Sequence, residues 1–185
     1  DNVPPQSPTS STRSRRAVLG YLAAGLAAPG LATPAIAARP AIPKVDLENP
    51  HTGEALRTAL VENGAWIEEG LAELSHFVRD WREDVSMPID KRVALILLKT
   101  RMILEPDRPT QILSGYRTAR TNSRLSGAAR NSLHLRAMAL DIRQPGVAHA
   151  TLHRAAVSLQ DGGVGNYPRD GFVHIDCGRV RHWTA

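Results

Sequence analysis

The stretch Ser132-Leu-His-Leu-Arg-Ala-Met-Ala-Leu-Asp141 sets a histidine and an aspartate seven residues apart, with alanines and apolar side chains between them. In a regular strand the two would face opposite sides, because side chains alternate with period two. On a helix they would share a face two turns apart, too distant for one small ion. Either a turn brings them together or they are unrelated. The second half of the stretch reads as a strand over Ala137 to Ile142. Alternation puts Ala137, Ala139 and Asp141 on one face and Met138, Leu140 and Ile142 on the other, apolar face. A carboxylate in a strand that otherwise reads as core must be paired or must hold a metal.

Downstream, Gly171 to Cys177 reads as another strand. Phe172, His174 and Asp176 share one face, and Val173, Ile175 and Cys177 the other. If His134 lies on a loop that turns into the first strand, it can converge with Asp141 while His174 arrives from a neighbour. Two imidazoles and a carboxylate with a fourth position open are the composition of a catalytic zinc site. Each pair taken alone also fits a satisfied histidine beside a surface acid. Between the two strands, Gly162-Gly-Val-Gly165 lacks the Lys-Ser/Thr and the strand-to-helix setting of a phosphate loop. It is expected to be a tight backbone turn.

Working outward, Val45 to Leu60 reads as a hairpin with Gly53 in its turn, and Glu62-Asn-Gly64 marks a second turn. Ile67, Leu71, Leu74, Phe77 and Val78 recur at helical spacing and predict an amphipathic helix over 66–82. Pro88 fits the first turn of another, with Val93, Ile96, Leu97, Met102 and Leu104 buried; Pro106 and Pro109 end it. Gln111 to Leu113 reads as a short strand, Arg120 to Ala129 as a loop or weak helix, and Thr151 to Leu159 as a helix. Helices first, then a small, mostly antiparallel sheet, make the fold class α+β, in one domain over 44–185. Cys177 is expected to be a small core filler and Trp183 to close the core edge.

The chain has 185 residues, one cysteine, 22% charged residues and a net charge of +5. A single cysteine allows no intramolecular disulfide. Ser14-Arg-Arg-Ala-Val-Leu-Gly20, an apolar run from Ala17 to Leu31 and Ala35-Ile-Ala37 form a twin-arginine export signal over 1–37, with a linker over 38–43. The apolar run is too short and proline-broken to span a bilayer. The signal directs the chain to the periplasm, already folded. Arg13, Arg15, Arg16 and Asp1 belong to it, so the mature net charge falls from +5 to +3. Arg117, Arg120, Arg124, Arg130, Arg136 and Arg143 still form a basic stretch. Only Tyr116 lies among them, which argues against nucleic acid. No membrane partner is expected beyond the signal segment.

Ser114-Gly-Tyr-Arg117, Thr121-Asn122, Asn131-Ser-x-His134, Ala139-x-Asp141-Ile142, Gly162-Gly-Val-Gly165, Phe172-Val-His-Ile-Asp176 and Arg181-x-Trp183 follow one another in order. This set resembles the zinc peptidases of bacterial cell walls. That superfamily holds the zinc D-Ala-D-Ala carboxypeptidases, the lysostaphin-type enzymes and the hedgehog signalling domain. The resemblance is greatest to its murein endopeptidase K-like branch and covers roughly residues 43 to 183.

The resemblance implies Zn2+ held by His134, Asp141 and His174, on a hedgehog or D-Ala-D-Ala peptidase-like sheet. It implies that Arg117 binds a substrate carboxylate or steadies the oxyanion, with Tyr116 beside it. Two positions depart from the pattern. Alanine stands at 137, where relatives usually carry glycine. Gly171 and Phe172 stand where many relatives carry the general base. Asp176 is then the favoured base or a partner of the zinc histidine, with Asp170 and His182 as other options. The implied activity is endopeptidase cleavage of peptide cross-links in peptidoglycan, with its stem peptides as substrate. The alternatives are a D,D-carboxypeptidase, or a silent zinc-stabilised domain that binds wall peptides or a protein partner.

Overall fold

The structure is a computed structural model that describes residues 43–185. The export signal expected over 1–37, and the 38–43 linker apart from Pro43, lie outside the described residues. The hairpin forms as expected from β1 (Lys44–Glu48) and β2 (Ala55–Ala59). Its turn is closed by Gly53 N–H donating to Asn49 O at 2.8 Å, with Gly53 at φ 74°. A two-residue turn at Asn63-Gly64, both at positive φ, joins β3 (Val61–Glu62) to β4 (Ala65–Trp66).

Helix α1 (Glu68–Phe77) stops five residues before the expected end at 82. The apolar period ends at Val78, and Asp80 folds back into a bridge with Val85. Helix α2 (Lys91–Leu104) starts at Asp90, whose side chain accepts from Arg92 N–H at 2.9 Å. Pro88 therefore precedes the cap and does not sit in the first turn. Val93, Ala94, Ile96 and Leu97 are buried, but Met102, expected inside, is 56% exposed. It falls half a turn around the helix from Val93.

The remaining elements are β5 (Thr110–Ser114), α3 (Ala119–Arg124), a 3-10 turn (Leu133–Arg136), β6 (Ala139–Arg143), α4 (His149–Ser158), β7 (Gly163–Tyr167), β8 (Phe172–Asp176) and β9 (Arg181–Thr184). Seven strands form one sheet in the order β2-β1-β5-β6-β8-β7-β9. The pairs β1–β5 and β7–β9 are parallel and the other four antiparallel, so the α+β, mostly antiparallel expectation holds. The sheet is larger than expected, because the N-terminal hairpin is its edge and not a separate element. Leu140, Ile142, Val164, Val173 and Ile175 point to one face, where they join Leu97 of α2 and Leu152 of α4 in the core. Cys177 joins the same cluster.

Two further expectations are corrected. Gly163, Val164 and Gly165 are strand residues of β7, paired with β8 on one side and β9 on the other. Glycines read as a turn because they carry no strand propensity, yet here they let neighbours approach. A Cβ at Gly165 would lie 2.5 Å from the Trp183 ring. Trp183 itself does not close the core edge. It lies on β9 on the cleft side of the sheet, its ring 5.3 Å from that of His174.

Candidate metal centre

Strand register builds most of the site. Asp141 of β6 pairs directly with His174 of β8, and Ala139 with Asp176. All four therefore face the side away from the core. His134 arrives from the 3-10 turn, which begins at Ser132 and ends at Ala137 in the left-handed region, φ 51°. That reversal resolves the seven-residue spacing. Ala137 thus caps the turn and does not belong to β6 as expected, and the strand starts at Ala139. An L-residue there costs about 1–2 kcal/mol. Asp90 N–H, which donates to Ala137 O at 3.0 Å, helps to hold it.

His134 Nε2, His174 Nδ1 and Asp141 Oδ1 converge. The two nitrogens are 3.2 Å apart, and the carboxylate oxygen lies 3.3 Å and 2.9 Å from them. The outer ring nitrogens fix the tautomers. His134 Nδ1 is 2.6 Å from Gly115 O, a pure acceptor, so it carries the hydrogen. His174 Nε2 is 3.0 Å from Asp176 Oδ2 and likewise donates. The inner nitrogens therefore both present lone pairs to a carboxylate oxygen. With those tautomers, a two-His, one-Asp set converging at this range with its outer nitrogens anchored could hold a metal ion, and its composition fits zinc.

The electrostatics divide the two histidines. Burial pushes His134 down, toward the neutral form that ligates, although Asp141 opposes it. His174 is raised: burial lowers it, but hydrogen bonds to Asp141 and Asp176 outweigh burial. Asp141 lies far below the ordinary carboxylate range in spite of its burial, because both histidines favour its charged form. The cluster attracts positive charge to its centre.

Arg117 and Asp176 hold this set from behind. Arg117 Nη2 donates to Asp141 Oδ2 at 2.5 Å, and its Nε donates to Ser114 Oγ at 2.7 Å. Asp176 is fully buried, and both its oxygens are taken. Arg181 donates to Oδ1 and Oδ2 at 3.0 Å and 2.7 Å, and Gly178 N–H donates to Oδ1 at 2.8 Å. Asp170, on the turn from β7 to β8, lines the cleft, and its carboxylate has no partner among the described residues. His182 is exposed and does not line the cleft. Tyr116 does not line it either; Tyr167 does, its hydroxyl accepting from Trp183 Nε1 at 3.1 Å. The cleft above the centre, of about 640 Å³, runs between Arg117 and an aromatic wall of Tyr167, Phe172 and Trp183. Of the six basic residues singled out in the sequence, only Arg117 reaches it. Arg120 and Arg124 pair with Glu83.

The residue that sequence reasoning missed is Asp80. It is 1% exposed and accepts from Thr118 N and Oγ1, both at 2.9 Å, next to Arg117. Burial favours its neutral form, but these hydrogen bonds win and hold it below its usual value. A depressed folded pKa contributes stability above the unfolded value, lost as pH falls through the folded one. Asp80→Asn is expected to destabilise the zinc-free protein at pH 7. The difference from wild type should shrink as pH falls below about 3.8. Denaturant titrations across that range check it, and a difference that stays constant with pH would count against an ionised, stabilising Asp80.

Comparison with known proteins gives the class: the chain is a peptidase. Residues 37–183 match the family described as peptidoglycan L,D-endopeptidase MepK, and the chain belongs to that family. It is 39% identical over 177 residues to the peptidoglycan L,D-endopeptidase MepK of Escherichia coli K12, covering 94% of this chain and 97% of that one. The Shigella flexneri protein of the same name gives the same figures. A probable peptidoglycan L,D-endopeptidase MepK of Haemophilus influenzae is 30% identical over 173 residues, 90% of this chain and 92% of its own. No solved structure matches the chain significantly.

Proposed function

We propose that the chain is a zinc-dependent endopeptidase of peptidoglycan, acting on a bond between an L- and a D-configured centre in its stem peptides. The observation that carries this is the convergence of two imidazole lone pairs and one carboxylate oxygen at the floor of an open cleft. A zinc ion held there supplies Lewis acidity, polarising a carbonyl and bringing the pKa of a water toward ~7. The rest falls to the chain's own residues. Arg117 orients Asp141, and its Nη1, with no partner among the described residues, offers a permanent positive charge to a substrate carboxylate or the developing oxyanion. The aromatic wall positions the substrate against it. Asp141 and Asp176 have every oxygen engaged. That supports Asp176 as the group that orients His174, and leaves Asp170 as the cleft carboxylate free to move a proton. Asp170 takes the proton of the attacking water and passes it to the leaving amine.

Asp170→Asn is expected to keep its zinc and lose about 10²–10⁴-fold in kcat/KM on cross-linked muropeptides. Unchanged kcat/KM would remove Asp170 from the mechanism. The whole reading is tested on residues 38–185 by zinc content and muropeptide cleavage. Stoichiometric zinc with no cleavage would favour the silent binding domain. The Ser14–Gly20 pattern supports export to the periplasm by the twin-arginine route. Among the described residues no helix is long and apolar enough to cross a membrane.

A further inference from the structure

Gly163 and Arg181 lie outside the three converging ligands, yet both meet Asp176. Arg181 lies on β9, two strands away from His174, and reaches Asp176 past the backbone of β7. The approach passes over Gly163. A Cβ there would lie 2.1 Å from Arg181 Nη1 and 2.5 Å from Asp176 Oδ2. Gly163 N–H also donates to Asp176 Oδ1, at 3.3 Å. The arginine is held in place from the other side, with its guanidinium carbon 4.9 Å from the centre of the Trp183 ring.

We infer that Gly163 and Arg181 form a positioning device for the metal centre. The missing side chain at Gly163 is the port through which Arg181 clamps Asp176, and Asp176 in turn fixes the ring of His174. The inference rests on the metallopeptidase reading above. The geometry is a chain of fixed contacts. Arg181 holds both oxygens of a fully buried carboxylate, so Asp176 cannot rotate. Asp176 Oδ2 accepts from His174 Nε2 at 3.0 Å, which aims Nδ1 at Asp141 and His134. Partners of this kind typically contribute 10–100-fold to metal affinity. Arg181 lines the cleft but makes no hydrogen bond to the three ligands, so it acts on the centre through Asp176, as a positioning residue.

The test reads metal binding and not turnover. Zinc dissociation constants are measured by chelator competition for wild type, Arg181→Ala, Arg181→Lys and Gly163→Ala. Arg154→Ala, an exposed site on α4, controls for loss of charge. The visible absorption of the Co2+-loaded proteins reports ligand geometry. Arg181→Ala and Gly163→Ala are both expected to weaken zinc by about 10–100-fold and to alter the Co2+ spectrum. Arg181→Lys, a cation without the two-pronged fork, should fall between them and wild type, and Arg154→Ala should change nothing. If Gly163→Ala does not fold, Arg181→Ala decides alone. Wild-type affinity and an unchanged spectrum in Arg181→Ala would overturn the device while leaving the metal centre standing. A wild type that binds neither zinc nor cobalt would overturn the metallopeptidase reading itself.

Discussion

His134→Ala is expected to purify without zinc and to lose on the order of a thousandfold or more in kcat/KM on cross-linked muropeptides. Lewis-acid stabilisation is worth several kcal/mol, and about 4 kcal/mol corresponds to that factor. Truncation leaves two of the three ligands. His174 Nδ1 and Asp141 Oδ1, 2.9 Å apart, can then satisfy each other through one proton. Arg117 already neutralises the carboxylate through its other oxygen. A two-ligand remnant of that kind has little hold on a divalent ion. Chelation of the wild type should mimic the variant, and added zinc should restore the wild type alone. Metal analysis after desalting, run beside the cleavage assay, checks both. Full activity with no metal in His134→Ala would end the metallopeptidase reading.

Gly115→Ala is expected to cost roughly 1–3 kcal/mol of stability, in the range of overpacked buried sites. It should also weaken zinc by about 10–100-fold. The added Cβ would meet Val78 O at 2.3 Å and Val78 Cβ at 2.6 Å, in a part of the core that has no slack. The chain from Ser114 to Arg117 must then move away from α1, breaking the bond from Tyr116 N–H to Val78 O at 2.8 Å. The displaced segment carries the carbonyl that anchors His134 and the arginine that anchors Asp141. Gly127→Ala is the control. Its new Cβ would meet nothing within 4 Å, so strain at φ 75° should cost about 1–2 kcal/mol and leave zinc alone. Denaturant melts of the zinc-free proteins and zinc titrations separate the two effects. A Gly115→Ala protein with wild-type zinc affinity would show that the carbonyl does not position His134.

Much of the centre was legible in sequence because strand alternation is a local property. The pattern Ala139-Leu-Asp-Ile142 against Val173-His-Ile-Asp176 placed Asp141, His174 and Asp176 on one face, and the register bears this out. The hairpin and the first helix were legible for the same reason. What failed was non-local. Gly163 and Gly165 look like a turn until Arg181 and Trp183 are seen to occupy the space that side chains would fill. Strand β9 pairs in parallel with β7 and has no hairpin to announce it. Asp80 sits among Arg79, Arg82, Glu83 and Asp84 and reads as one more surface charge. Only the fold of 80–85 reveals that it is buried against Thr118. Ala137 read as a strand residue because its neighbours alternate, and nothing local signals a left-handed alanine.

The continuity of the sheet has a thermodynamic meaning. β1 and β2 lie at the opposite edge from β7 and β9, yet β1 is joined through β5 to the two strands that carry Asp141 and His174. An ion that binds only the native state raises the free energy of global unfolding by about 4 kcal/mol at a thousand times its dissociation constant. In one cooperative unit that increment is shared by every amide that exchanges with solvent only on global opening. Hairpin hydrogens that exchange only on such opening, far from the centre, would then gain as much protection from a bound ion as those beside it.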